Sequence, residues 1–186
     1  MTLLDDLRAA GLTGRGGAAF ATDVKIAGAR EHGANLIVNA CDGEIGAAKD
    51  AWIVAHHLPE LVAGARLIVP GGNRIRYAAH RGSATAARLA AAGCDVLEVP
   101  NRYVSAEESA LVSLANGGLA RPMTKRAPIV HGGRDSRGRR FPPTLVLNAE
   151  TVWRVAQIAD RGPSWFRAQG TRAEPGPRLA TVHGAV

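Results

Sequence analysis

Gly11-Leu12-Thr13-Gly14-Arg15-Gly16-Gly17-Ala18-Ala19-Phe20 is the stretch from which the rest of the chain is best read. Four glycines in seven residues, interrupted by one arginine, oppose both a regular helix and a regular strand. A loop of this kind exposes backbone N–H groups and lets a flat or phosphorylated ligand come close to the chain. Arg15 adds a cationic fork suited to phosphate, and Phe20 an apolar plate at the loop exit. A plain surface turn is the commoner meaning of a glycine run, so the flanking segments decide its role.

Upstream, Leu3 to Ala10 reads as a short amphipathic helix stopped by Gly11. Downstream, Thr22 is expected to cap a helix running to about Glu31, with Lys25 one turn in. Asn35 to Val38 reads as a buried strand that delivers Asn39 to Asp42 to the sheet edge, where ligands of α/β folds sit. Helices are expected from Lys49 to His57 and from Pro59 to about Val69, then a turn over Pro70 to Asn73. Arg74 to Ala79, Ala84 to Ala92 and Asp95 to Val99 form a strand–helix–strand unit, which calls for a parallel pair.

Ser105 to Ala115 reads as one helix with Glu107 and Glu108 in its first turn, where acidic groups commonly just complement the helix dipole. Residues 117–143 lack periodicity and are rich in Gly, Pro and Arg, as functional or mobile loops are. Ala149 to Asp160 is helical, Gly162 and Pro163 break the chain before a short Trp165-Phe166 segment, and Arg178 to Gly184 reads as a final strand with an exposed edge. The expected fold is α/β, a mostly parallel sheet flanked by helices with the ligand cleft and glycine-rich loop at the strand ends.

The 186 residues are enough for one domain with a real core, built mainly from Ala, Leu and Val because aromatics are only 4%. The apolar run Leu67 to Pro70 is far too short to span a bilayer, and no signal-like segment opens the chain, so a cytoplasmic location is expected. A place in a membrane-associated complex would have to come through partners. Cys41 and Cys94 lack metal-ligand spacing, and His56 and His57 lack a third ligand, so neither a metal nor an iron–sulfur cluster is expected in this chain. Trp153 and Trp165 read as core residues.

The net charge of +7 invites a nucleic-acid reading. Yet 20 of the 23 basic residues are Arg, a compositional habit, and the cluster from Arg121 to Arg140 has only Phe141 as a nearby aromatic and no recognition-helix pattern. Nucleic acid is therefore not expected as a partner. The cluster reads as a solvated basic loop or, in a sharper reading, as a docking surface for an acidic redox partner. Lys25, Lys49 and Lys125 are the only lysines.

Four blocks carry a family resemblance. The opening stretch resembles the G-L-R-G-R-G-G-A-G-F-P-T-G-x-K segment of the NADH-binding flavoprotein subunit of respiratory complex I, a family shared with NAD-reducing hydrogenases and NAD-dependent formate dehydrogenases. Val38 to Asp50 resembles its V-N-A-D-E-x-E-P-G-x-x-K-D, Tyr103 to Leu111 its Y-x-x-G-E-E-T-A-L, and Pro143 to Thr151 its P-T-x-V-N-N-V-E-T. Lys25 and Lys49 fall on lysine positions of these motifs, and Lys125 lies in the basic loop where the family also tends to have one.

The resemblance implies FMN as cofactor, NADH as hydride donor, and onward electron transfer to a separate iron–sulfur or ferredoxin-like partner. FMN rather than FAD also fits the lack of a G-x-G-x-x-G turn after a strand. Carried over by position, Gly14, Gly16 and Gly17 would pass over the flavin and nucleotide, and Arg15 and Lys25 would face phosphate or ring oxygens. Asn39, Cys41 and Asp42 would bond the isoalloxazine or ribityl chain, and Glu44 would face the NADH side. Tyr103, Glu107 and Glu108 would line the nicotinamide pocket, Asn148 would touch the FMN phosphate end, and Phe20 would stack on the adenine.

Residues 1–170 would form this FMN- and NADH-binding domain, with 171–186 resembling the start of the family's ubiquitin-like domain. A truncated chain of this kind would work as an oligomer or hetero-complex. Its rival is a non-catalytic assembly subunit that keeps the fold without the cofactor. Six departures from the motifs bear on that choice: Ala19 and Ala106 for Gly, Cys41 for an acid, Asp42 for Glu, Ile45 for Pro, and Leu147 for the first Asn of a pair.

Overall fold

The computed structural model describes residues 2–69, 71–124, 127–135, 137–182 and 184. Helix α1, Leu3–Ala10, begins with a reciprocal Thr2–Asp5 cap and ends at Gly11, whose φ of +68° suits only glycine at low cost. Helix α2, Thr22–Glu31, leads to strand β1, Asn35–Asn39. Helices α3, Lys49–His56, and α4, Leu58–Ile68, precede β2, Ile75–His80. Helix α5, Ala84–Ala91, crosses to β3, Val96–Val99, with Ser83 capping it. A 3-10 turn, Tyr103–Ala106, runs into α6, Glu108–Ala115. A second 3-10 turn, Ile129–His131, precedes the short hairpin of β4, Gly133–Arg134, and β5, Arg140–Phe141. Strand β6, Thr144–Asn148, feeds α7, Ala149–Arg161, and the short α8, Pro163–Arg167.

The main sheet has the order β3-β2-β1-β6 and every pairing is parallel, as the strand–helix–strand pattern predicts. Alternation along the strands divides the core in two. Leu36, Val38, Tyr77, Ala79, Leu145 and Leu147 pack with Ile53, Leu61, Ile68, Leu89, Val152 and Ile158. Ile37, Ala78, Leu97, Val99 and Val146 pack on the other face with Leu111, Val112 and Ile129. On the first face α4 lies so close to α7 that a Cβ on Gly64 would run into the backbone carbonyl of Val152, which is why a small residue stands there.

Four expectations change. Thr22 does not cap α2: Ala21 occupies the cap and Thr22 begins the helix, with its buried hydroxyl lacking a hydrogen-bond partner among the described residues. The helix expected from Ser105 to Ala115 breaks at Glu107, whose carboxylate accepts from the backbone of Ser109 and Ala110 and caps α6. No strand forms over 178–182: Leu179 N donates to the Glu150 carboxylate of α7, and Thr181 Oγ1 accepts from the Ala48 amide before α3, in place of a sheet edge. His183 of that expected strand, and Lys125 and Pro70 of the earlier readings, lie outside the described residues. Strand β6 was not anticipated; it was legible only as a Leu-Val-Leu run between Thr144 and Asn148.

Candidate functional site

The carboxyl ends of β1 and β6 place Asn39 and Asn148 side by side in register. The glycine loop arches beside them. Its neck is closed by pairing of Thr13 with Ala21 and by the Gly14 amide donating to Phe20 O at 2.9 Å. The Arg15 amide donates to Thr151 Oγ1 at 2.9 Å, which anchors the loop to the first turn of α7. A Cβ on Gly16 would sit 3.4 Å from Asn148 Cβ, so the bare backbone passes directly over that residue. Gly17, at φ +100°, faces open space. Ala19 holds φ +48°, so this departure from glycine does cost strain, about 1 kcal/mol. Ala106 does not share that cost, since its backbone is not left-handed.

The other two blocks close around the same end of the sheet. Asn39 Nδ2 donates to Ala106 O at 2.9 Å, and Asn39 Oδ1 accepts from the Cys41 amide. A Cβ on Gly43 would meet Ala106 Cβ at 3.2 Å. Lys25 of α2 reaches Glu108 of α6 across 3.8 Å. The rings of Phe20 and Tyr103 are 51% and 71% exposed. Glu44 and Ile45 are exposed on the loop between Asn39 and α3.

Beneath the cleft lies a polar network. Lys49 Nζ donates to Asn148 Oδ1 at 2.7 Å and to Asp50 Oδ1 at 2.8 Å, and lies 3.5 Å from Glu150 Oε2. Asn148 Nδ2 donates to both Asp50 oxygens, and Asn148 Oδ1 also caps α7 through the Glu150 amide. Asp42, itself left-handed at φ +45°, accepts from the amides of Asp50 and Ala51 and so caps α3. Burial pushes the Asp50 carboxyl up to about 6, with Asp42 adding to the rise and Lys49 and Asn148 opposing it. Burial, with the charges of Asp50 and Asp42, pushes the Cys41 thiol up to about 12, so it is a neutral, packed group.

Thus Asp42, Glu107 and Asn148, expected to face ligand, hold the starts of three helices. Their acceptor groups are engaged, and what they orient toward the cleft are helix N-termini with their positive dipole ends. Arg15 is not brought to the cleft. Its guanidinium is buried over the Phe166 ring and donates to Pro175 O at 3.0 Å. Burial, with Arg178 nearby, pulls its pKa below the ordinary arginine value. Leu147 is buried in the core, so its side chain does not stand where a second asparagine could serve the cleft. Asp50, Glu150 and Thr151 were missed as site residues. All three lie inside the quoted motif blocks, but only the fold shows their buried charge and contacts.

The donor set fits FMN. A Cβ-free arc of backbone with open space at Gly17, two exposed aromatic planes, and lysines 25 and 49 beside helix N-termini suit a flat ring carrying a phosphate. A recess of about 650 Å³ lies elsewhere, around His131 to Pro143 at the opposite end of β6, and carries none of the expected site residues.

Comparison with known proteins places this arrangement. The Nuo51 FMN-binding domain profile matches residues 7–157. An NADH-quinone oxidoreductase subunit of Rhizobium meliloti is 28% identical over 212 residues, covering 99% of this chain and 49% of its own. An NADH-quinone oxidoreductase subunit of Mycobacterium bovis is 29% identical, covering 95% and 45%. A chain of an NAD+-reducing [NiFe]-hydrogenase crystallised in the H2-reduced state superposes with a TM-score of 0.78 at 30% identity, covering 95% of this chain and 33% of its own. The chain spans about half the length of the curated relatives it matches. With the profile matched over most of its length, the chain belongs to the Nuo51 FMN-binding domain family.

Proposed function

We propose that this chain is the flavin module of an NADH-dependent electron-transfer oxidoreductase that passes electrons to a separate iron–sulfur or ferredoxin-like protein. The observation that carries the reading is the convergence of four separate sequence blocks at the carboxyl ends of β1 and β6, with the Gly16 backbone against Asn148 and Asn39 bonded to Ala106. FMN, when bound, supplies hydride acceptance and one-electron release. The chain's own residues bind, orient and exclude water. The amides of Gly16 and Gly17 would donate to the cofactor while the Gly14 amide closes the loop neck, and Lys25 would set positive charge beside the ligand. Phe20 and Tyr103 would cover ring faces, while Glu44 and Glu108 lie where a dinucleotide would enter. Lys49, Asp50 and Asn148 fix the floor on which that geometry depends. No side chain need act as a general base.

No helix among the described residues is long and apolar enough to cross a membrane, so any membrane complex would be joined through partners. The rival reading, an assembly subunit that has lost the cofactor, is favoured by one feature: Asp42, Glu107 and Asn148 already spend their acceptors on helix caps. Anaerobic addition of NADH to FMN-loaded protein separates the two. Bleaching of the flavin absorption supports the dehydrogenase reading; bound FMN that stays oxidised under excess NADH contradicts it.

A further inference from the structure

The positive charge of this chain is concentrated in one segment. Residues 117–143 hold seven of the 23 Lys and Arg and one of the 16 Asp and Glu, a net +6 out of +7, which leaves the remainder close to neutral. Arginine itself occurs along the whole chain; what sets this segment apart is that it holds a single acid against its seven basic residues. The structure shows how the charge is displayed. The single acid, Asp135, is turned into the hairpin, where it accepts from the amides of Arg137 and Arg139 and from Arg139 Nε at 2.7 Å. Its charge stabilises the turn, while Arg134, Arg137 and Arg140 stay exposed.

The hairpin is also built to hold its shape. Phe141 packs on the core beneath it, and its ring lies so close to Gly133 that a Cβ there would meet it at 3.0 Å. Gly132, at φ +73°, lies against Phe141 O and Pro143 with no room for a side chain. His131 stacks on His32, just past the end of α2, with ring centroids 4.4 Å apart. Arg134 and Arg140, paired across the two strands, border the recess of about 650 Å³ together with these residues. A merely solvated loop needs neither core anchoring nor a preformed concavity.

We propose that this hairpin is a docking site for an acidic protein segment, whose carboxylates pair with Arg134 and Arg140 over the recess. The forked geometry of guanidinium matches carboxylate, and rigid placement of the two arginines lowers the entropy lost on pairing. A polypeptide fits better than nucleic acid. Phe141 is half-buried against Gly133 and unavailable for base stacking, and no helix of the hairpin could enter a groove. The site lies at the amino end of β6 and the flavin cleft at its carboxyl end, five residues or roughly 16 Å away. It is therefore a contact separate from the flavin cleft, and stands whether or not the cleft binds flavin.

The test uses the full chain and a fluorescent 12-residue Glu/Gly peptide as probe, with a random-sequence DNA duplex as competitor, at two salt concentrations. Wild type should bind the peptide, and affinity should fall about tenfold or more as salt is raised. Arg134→Glu/Arg140→Glu should lose at least about tenfold in affinity, whereas Arg66→Glu/Arg88→Glu, the same charge change on exposed faces of α4 and α5, should lose less than about twofold. Equal losses in the two variants would reduce the effect to net charge and overturn the proposal. Absence of peptide binding at low salt, or a duplex that binds the hairpin more tightly than the peptide does, would overturn it as well.

Discussion

Lys49 and Asn148 lie 99 positions apart in sequence, yet Lys49 Nζ donates to Asn148 Oδ1 at 2.7 Å, and through this bond the start of α3 is tied to the start of α7 beneath the cleft. The same asparagine oxygen caps α7 and the same amide nitrogen holds Asp50. Asn148→Ala removes a cap and leaves two charged groups short of a partner. The expected loss of unfolding free energy is about 2–4 kcal/mol. Denaturant titration checks it, and a loss below about 0.5 kcal/mol would show that the network is incidental.

Asp50 gives the chain a pH signature. Its carboxyl is raised from 3.8 to about 6, chiefly by burial, so between those values the folded state holds a proton that the unfolded state releases. Its contribution to stability is fully present below the unfolded pKa and is lost as pH rises through about 6. Asp50→Asn stays neutral throughout. Its stability relative to wild type should therefore rise by about 3 kcal/mol at most between about pH 4 and about pH 7.5. A constant difference across that range contradicts the raised pKa.

The two thiols should differ sharply. Cys41 is buried with its pKa pushed up to about 12, whereas Cys94, also raised by burial, is only half-buried. A thiol reagent at mildly alkaline pH should modify Cys94 first and Cys41 only at the rate of opening of the fold. Faster labelling of Cys41 would mean that the cleft floor is open to solvent.

Arg15 should act on the chain's last described segment. Besides its bond to Pro175 O, that segment is held by Leu179 N donating to Glu150 and by Ala48 N donating to Thr181. Arg15→Met should cost about 1–3 kcal/mol and speed proteolysis within 168–182, and Arg15→Lys should not restore protection, because a compact ammonium cannot both stack on Phe166 and reach the carbonyl. Unchanged cleavage would return Arg15 to the role of a free cation at the cleft.

Most of the fold was legible because local signals agreed with it. Leu3–Ala10 with Gly11 at its end, Pro59 at the start of α4, and the unit from β2 through α5 to β3 all follow from caps, breakers and period. Strand β6 escaped because five residues flanked by prolines and a helix cap carry little periodicity, and only pairing with β1 makes them a strand. At the site, the motif blocks named the right neighbourhood. They could not distinguish ligand-facing groups from helix caps, since Asp42, Glu107 and Asn148 have acceptors suited to either task. Arg15 shows the same limit: a guanidinium beside glycines reads as a phosphate ligand until Phe166 and Pro175, more than 150 positions away, are seen to claim it.

The central claim is that the glycine loop and the ends of β1 and β6 hold FMN, and flavin titration tests it most directly. Purified chain titrated by fluorescence quenching should bind one FMN, more tightly than FAD. Gly16→Val should abolish that binding while unfolding free energy changes by less than about 1 kcal/mol, because added methyl groups would fill the space over Asn148 and leave the core untouched. No binding of either flavin, tighter binding of FAD, or normal FMN binding by Gly16→Val would contradict the account.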